Sequence, residues 1–217
     1  MPSESLPTAV LNRRLFVLGT PLFLAACVTD NSGAPSTAAL SIYGPVTGEP
    51  FQVDAVDVSE IDPIYLRQVV DYPTKYPPGT IVVDIENKFL YLVEKGGKAI
   101  RYGVGVGKQG YSYSGWATIK RKEKWPHWTP TANMIARQPE RYGPYASGLP
   151  GGETNPLGPR ALYLYDGDRD TMFRLHGTIE PDSIGKQVSS GCIRLLNQDI
   201  IDLYERVPLG TRVYVQR

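Results

Sequence analysis

Arg174-Leu175-His176-Gly177-Thr178 and, a short loop later, Val188-Ser189-Ser190-Gly191-Cys192-Ile193-Arg194-Leu195 form the stretch around which this chain is organised. It holds one of only two histidines and one of only two cysteines. A thiol attacks as the thiolate, and at its ordinary pKa of about 8.5 little thiolate exists at neutral pH. An imidazole within reach takes that proton and holds the ion pair, which makes a Cys–His couple an activated nucleophile. The small residues Ser189, Ser190 and Gly191 allow a sharp turn that aims backbone N–H groups at a developing oxyanion. The competing reading is a buried cysteine beside a core histidine.

Working outward, Ala161–Tyr165, a turn at Asp166-Gly167-Asp168 and Met172–His176 read as paired strands, with His176 at a strand end. After the cysteine, Asn197 is expected to cap a helix over 198–206, with Ile200, Ile201, Leu203 and Tyr204 giving an apolar side. Pro208-Leu209-Gly210 ends it, and Thr211–Val215 is a last strand. Upstream, Thr80–Ile85, Phe89–Val93 and Ala99–Val106 form a meander joined by Asn87-Lys88 and Gly96-Gly97 turns. Ile61–Tyr72 is expected as a short helix stopped by Pro73, Pro77 and Pro78. With 19 prolines, 22 glycines and 14 tyrosines, the chain reads as mainly β with short helices.

Gly105-Val106-Gly107-Lys108-Gln109-Gly110 matches G-x-G-x-x-G in form only. Tyr111–Gly115 carries no helix pattern, and the fingerprint needs a helix N-terminus for the pyrophosphate. Residues 108–160 read as a long loop holding all three tryptophans, Trp116, Trp125 and Trp128, and a loop of that length is usually functional. His127 reads as a surface or packing residue. Two histidines and one thiol are too few for a zinc site unless carboxylates complete the set. The net charge of +1, without a basic run, gives no argument for a nucleic-acid partner.

Asn12-Arg13-Arg14-Leu15-Phe16 precedes an apolar run that ends at Ala26 and is too short to span a membrane, so residues 1–26 are read as a signal peptide. The paired arginines resemble a twin-arginine signal, with an ordinary charged leader as the alternative. Leu24-Ala25-Ala26-Cys27 resembles a lipoprotein box, which would make Cys27 the lipidated first residue; a plain cleavage site abutting a cysteine is the alternative. Lipidation would take Cys27 out of disulfide chemistry and leave Cys192 as a thiol. Residues 27–60 are small and polar and read as a flexible tether, so 61–217 is expected to be the folded domain.

At His176-Gly177-Thr178 and Ser189-Ser190-Gly191-Cys192-Ile193-Arg194-Leu195 the chain resembles the L,D-transpeptidase catalytic domain, also called YkuD-like. Pro78–Val83 and Asn155–Tyr163 add to the likeness, which covers about residues 60–217. The family's signature is a histidine, roughly fifteen residues, then Ser/Thr-x-Gly-Cys; here residues 177 to 191 separate His176 from Cys192. The resemblance implies a compact β-sandwich or barrel-like domain, with the Trp-rich segment as a capping loop over the cleft. It also implies a cysteine acyltransferase that acts on peptidoglycan stem peptides and needs no cofactor or metal. Cys192 would be the nucleophile and His176 its base. Backbone N–H groups of Ser190, Gly191 and Cys192 would form the oxyanion hole, and the Gly177 carbonyl would orient the histidine.

Trp116 and Trp125 would stack on the stem peptide, with Ser189 and Arg194 beside it; Arg194 either pairs with a substrate carboxylate or forms a structural ion pair. Two positions depart from the common pattern: Ser190 stands where a histidine is frequent, and Arg194 where many members have asparagine. The acceptor would be another stem, an envelope protein or water. The last makes the chain an L,D-carboxypeptidase, and a non-catalytic wall-binding lipoprotein is the third reading. The expected location is the periplasmic face of a Gram-negative envelope, through the lipid anchor.

Overall fold

The computed structural model describes residues 37–107, 113–188 and 192–216. Short β-branched and aromatic runs give eleven strands among them: β1 Gln68–Asp71, β2 Ile81–Asp84, β3 Phe89–Val93, β4 Lys98–Gly103, β5 Gly105–Gly107, β6 Gly115–Lys124, β7 Arg160–Asp166, β8 Arg169–His176, β9 Gln187–Val188, β10 Ile193–Arg194 and β11 Arg212–Gln216. The helices are α1 Thr37–Ile42, α2 Ala132–Arg137, α3 Pro139–Tyr142 and α4 Asn197–Arg206, besides single turns of 3-10 helix.

All the strands belong to one sheet in the order β1-β4-β3-β2-β11-β6-β7-β8-β10-β5-β9. β4 and β5 are separated in the chain by Val104 alone, yet they lie next to opposite ends of that order. The sheet must therefore curl back on itself, which gives the barrel-like architecture. Its interior is filled by alternate residues of the strands, among them Ile81, Val83, Ile119, Leu162, Leu164 and Val213, and by Ile200 and Leu203 from α4. Period-two alternation sends the intervening residues to the outer face.

Three expectations about local structure are corrected. Ile61–Tyr72 is not a helix. Asp62 caps a single 3-10 turn over Pro63–Tyr65, and the β-branched pair Val69-Val70 then joins β1, which pairs antiparallel with β4. The expected loop 108–160 contains the ten-residue strand β6, sandwiched between β11 and β7. Asn197 does not cap α4; the cap position is Leu196, and the Asn197 side chain accepts the Thr178 N–H instead at 2.9 Å.

The expected tether is also corrected from residue 37 on. Tyr43, Val53 and Val58 are buried, and Tyr43 and Val58 form a second cluster with Ile61, Leu66, Ile184 and Leu196. Gln198 of α4 donates to the carbonyls of Gly44 and Asp54, at 3.0 and 2.8 Å. The Tyr43 hydroxyl donates to Asp199 and accepts the Arg67 N–H at 2.6 Å. Glu49 pairs with buried Arg160 and takes the Trp125 indole N–H. Small polar residues dominate this strap in sequence, but a few buried side chains at roughly 2 kcal/mol each suffice to dock it. Residues 27–36 lie outside the described residues, as do 1–26 with the expected signal peptide and Cys27.

Candidate active site

β8 ends at His176, between β7 and β10. His176 is level with Ala161 on β7 and Arg194 on β10, and its carbonyl accepts the Leu195 N–H at 2.8 Å. β8 and β10 run parallel, so Cys192, one residue before β10, stands level with Arg174. Cys192 and His176 are thus diagonal neighbours on adjacent strands, about 8 Å apart between Cα atoms from strand spacing and rise. Leu175 and Ile193 point into the core, and Arg174, His176, Cys192 and Arg194 line a single outer cavity of about 590 Å³.

The imidazole is held in one orientation. His176 Nδ1 lies 2.7 Å from the Gly177 carbonyl oxygen. A carbonyl only accepts, so Nδ1 carries the proton and Nε2 presents a lone pair. Gly177 is required by packing: a Cβ there would lie 2.4 Å from Asn197 Oδ1 and 2.9 Å from Pro159 Cδ. The same Asn197 oxygen fixes Thr178, so the start of α4 sets the loop that sets the histidine.

Burial disfavours the charged form of both groups. It pushes the His176 pKa down to about 4, helped by the positive charges of Arg194 and Arg174 and opposed by the Gly177 carbonyl. It pushes the Cys192 thiol up to about 11, against a backbone hydrogen bond from Arg174 and that residue's charge. The thiol donates to the Met172 carbonyl at 3.4 Å. Met172 sits in the left-handed region at φ 61°, a conformation rare for a residue with a Cβ. Burial thus works against the charged form of each member of the couple, the imidazolium as well as the thiolate.

Four arginines line the cavity, Arg121, Arg141, Arg174 and Arg194, each ion-paired with a carboxylate. Arg174 pairs with Asp170, and the guanidinium groups of Arg174 and Arg121 both lie over the Tyr163 ring, at 4.5 and 4.4 Å. Arg194 forms an ion pair with Glu180, and Arg141 of α3 reaches the same carboxylate at 3.2 Å. Burial pushes Glu180 up, but the two arginines outweigh it and leave its pKa below the usual carboxylate value. Among the described residues, no group of three or more His, Cys, Asp or Glu side chains is arranged to hold a metal ion.

The remaining wall comes from residues 126–157. Buried Asn155 ties this segment together, donating to the carbonyls of Pro126, Leu149 and Pro150 and accepting the Leu157 N–H. Trp128 lines the cavity and packs on Tyr142 and Tyr145, each at 6.2 Å between centroids. His127 is exposed at the same wall.

Trp116 and Trp125 are corrected as cleft residues. Trp116 points outward from β6, against Tyr76 and Tyr214, and Trp125 packs on Phe51 of the strap. Ser189, Ser190 and Gly191 lie outside the described residues. Sequence reasoning missed the roles of Glu180, Arg141 and Asn197, whose partners lie 14 to 39 residues away in the chain, and that of Asn155, marked only by the contrast between a polar type and complete burial, which is invisible in sequence.

Residues 78–215 match the model of the family described as YkuD, the L,D-transpeptidase catalytic domain. The probable L,D-transpeptidase YbiS of Escherichia coli K12 is 36% identical over 150 residues, 68% of this chain and 47% of that protein. The putative L,D-transpeptidase YkuD of Bacillus subtilis is 46% identical over 65 residues, 30% of this chain and 39% of that protein. The chain thus spans less than half the length of these curated relatives. A crystal structure from Brucella melitensis, described as a probable carnitine operon oxidoreductase, is 51% identical with a TM-score of 0.51, over 71% of this chain and 96% of that one.

Proposed function

This chain belongs to the L,D-transpeptidase catalytic domain family, and from that premise we propose that it is a cysteine acyltransferase acting on peptidoglycan stem peptides. The observation that carries the reading is the placement of Cys192 and His176 in one cavity, with His176 Nδ1 held by the Gly177 carbonyl so that Nε2 is a base.

Cys192 Sγ adds to the carbonyl carbon of the diamino acid in a tetrapeptide stem, and its proton moves to His176 Nε2 as the S–C bond forms. Because burial disfavours both charged forms, the thiol proton passes to His176 in concert with attack, as in general-base catalysis. The expected N–H groups of Ser190, Gly191 and Cys192 receive the oxyanion. The C–N bond to the terminal D-Ala then breaks, His176 returns the proton to the departing amine, and a thioester remains on Cys192. An amine acceptor attacks the thioester, gives up a proton through His176, and restores the thiol. The energy of the cleaved amide is conserved in the thioester, so no ATP is consumed. Arg174, Arg121 and Arg194 supply positive charge for the carboxylates of the stem.

The name of the Brucella protein suggests redox chemistry instead. That reading needs a phosphate-binding helix after Gly105-x-Gly107, but Gly105–Gly107 is a strand and β6 begins at Gly115. The lipoprotein box at Leu24–Cys27 supports lipid attachment on the periplasmic face of the envelope; membrane fractionation of the wild type and Cys27→Ala tests it, and a freely soluble wild type would refute it.

The test of function is incubation with a soluble tetrapeptide and an amine acceptor, with products weighed by mass spectrometry. Crosslinked product plus D-Ala supports the transferase. Tripeptide plus D-Ala as the sole products makes the chain a carboxypeptidase, and an unchanged tetrapeptide refutes catalysis.

A further inference from the structure

Trp116 is 40% exposed although it lies at the centre of the sheet order, and the fold makes no use of its indole as core. Ala117, Ile119, Val213, Val215, Leu162 and Leu164 face the core. Their neighbours Trp116 and Thr118 on β6, Arg212 and Tyr214 on β11, and Tyr163 and Tyr165 on β7 consequently share the outer face. Trp116 and Tyr214 are direct cross-strand partners with ring centroids 5.1 Å apart. Tyr76, from the loop before β2, packs against both, at 5.5 and 5.4 Å. The Arg212 guanidinium lies 4.7 Å from the indole centroid.

This outer face runs into the active-site wall. Thr118 pairs with Tyr165, and Arg121, farther along β6, pairs with Tyr163, whose ring lines the cavity. From Trp116 to Arg121 the strand covers roughly 16 Å, five residues at about 3.3 Å each. One surface therefore carries aromatic rings interleaved with guanidinium groups from an exposed tryptophan to the edge of the Cys192 cavity.

We propose that this outer face of β11, β6 and β7 is a glycan track, which holds the amino-sugar backbone of peptidoglycan while a stem peptide enters the cavity. The assignment rests on the stem-peptide reading of the cavity, and it adds a second, non-reacting site for the same polymer. Pyranose rings offer an apolar face of axial C–H groups that stacks on an indole or phenol, while their equatorial hydroxyl and acetamido groups want donors at the ring edge. Tyr214 and the exposed part of the Trp116 indole supply aromatic surface, and Arg212, stacked over one face of that indole, and Thr118 supply donors beside it. A large protein partner would want a broader apolar patch than rings separated by cations. Continuity with the cavity selects the polymer that carries the stem peptide.

The experiment is co-sedimentation of the full chain with peptide-free glycan strands, prepared by removing the stem peptides enzymatically. The track predicts saturable binding that weakens about tenfold or more in Trp116→Ala and in Arg212→Ala, as for an anchor residue at an interface. D-Ala release from a free tetrapeptide should stay within about twofold of wild type in both variants, since neither side chain lines the cavity. Wild type that ignores peptide-free glycan overturns the proposal, as does binding unchanged by both substitutions. Loss of melting temperature and of tetrapeptide turnover in both variants would make the rings structural and also overturn it. Binding to anionic vesicles that the same substitutions abolish, without glycan binding, would assign the face to a membrane instead. Glycan binding by a wild type that never cleaves tetrapeptide would leave the track standing and refute the function proposed for the cavity.

Discussion

Burial of His176 makes a prediction about acid that an ordinary Cys–His couple does not share. Its pKa is pushed down to about 4, against 6.5 for a solvated imidazole. The base must be unprotonated to accept the thiol proton, so kcat/KM should fall with acid only near pH 4. At pH 5.5 an imidazole of pKa 4 is ~97% neutral, whereas one of pKa 6.5 is only ~9% neutral, a tenfold separation in expected rate. The alkaline side is equally specific. With the thiol pushed up to about 11, no rise in rate should accompany the pH range near 8.5, where a solvated cysteine would ionise. Initial rates of D-Ala release at subsaturating tetrapeptide, from pH 4 to pH 9, give the profile directly. His127→Asn leaves His176 as the sole imidazole, so NMR titration of that variant assigns the acid limb. An acid limb centred at pH 6 or above, or a climb through pH 8.5, would refute a couple whose charged forms burial disfavours.

The remaining predictions probe what holds that couple in place. Gly177→Ala puts a Cβ 2.4 Å from Asn197 Oδ1 and should cut kcat by about tenfold or more by displacing the His176 loop; unchanged kinetics would show that the loop has room to spare. Tyr43→Phe removes the donor to buried Asp199 and the acceptor of the Arg67 N–H, and should destabilise by about 1–3 kcal/mol, read as a lower melting temperature. Trp128→Ala opens the cavity wall and should raise KM for tetrapeptide about tenfold, with a smaller effect on kcat. Stability itself should depend on pH in two opposed ways. His176 binds its proton more weakly folded than unfolded, so its contribution is present above pH 6.5 and lost as pH falls through about 4, about 3 kcal/mol in all. Asp199, raised by burial to about 7, contributes stability at acid pH that is lost as pH rises through about 7. Urea unfolding of Asp199→Asn between pH 7 and pH 4 should therefore show the acid loss more steeply than wild type.

The strands that the sequence announced are those with uninterrupted apolar runs, β-branched or aromatic, between turn residues, such as Ile81–Asp84 and Phe89–Val93. β6 stayed hidden because its alternation, Ala117 and Ile119 inward, breaks at a bulge between Ile119 and Arg121, and a run of charges follows. The strap stayed hidden because its docking depends on Gln198, Asp199 and Arg160, all more than a hundred residues away. Trp-rich composition drew attention to the right segment but not to the right tryptophan. Trp128 lines the cleft, whereas Trp116 lies five residues along β6 from the cavity residue Arg121 and packs on Tyr76 and Tyr214, and Glu49 holds Trp125 at the strap. At the site itself, the residue types and spacing of His176 and Cys192 were legible, because chemistry dictates them. Their protonation states were not, since those depend on burial and on the surrounding arginines.

Trapping the acyl-enzyme probes the Cys192–His176 couple itself. The protein is mixed with excess tetrapeptide, quenched in acid within the first turnover and digested, and the modified peptide is located by mass spectrometry. A tripeptide thioester is expected on Cys192, absent in Cys192→Ala, and formed roughly 10²–10⁴ times more slowly in His176→Ala, the usual worth of a positioned general base. Acylation at wild-type speed without His176, or D-Ala release that persists without Cys192, would contradict that pairing.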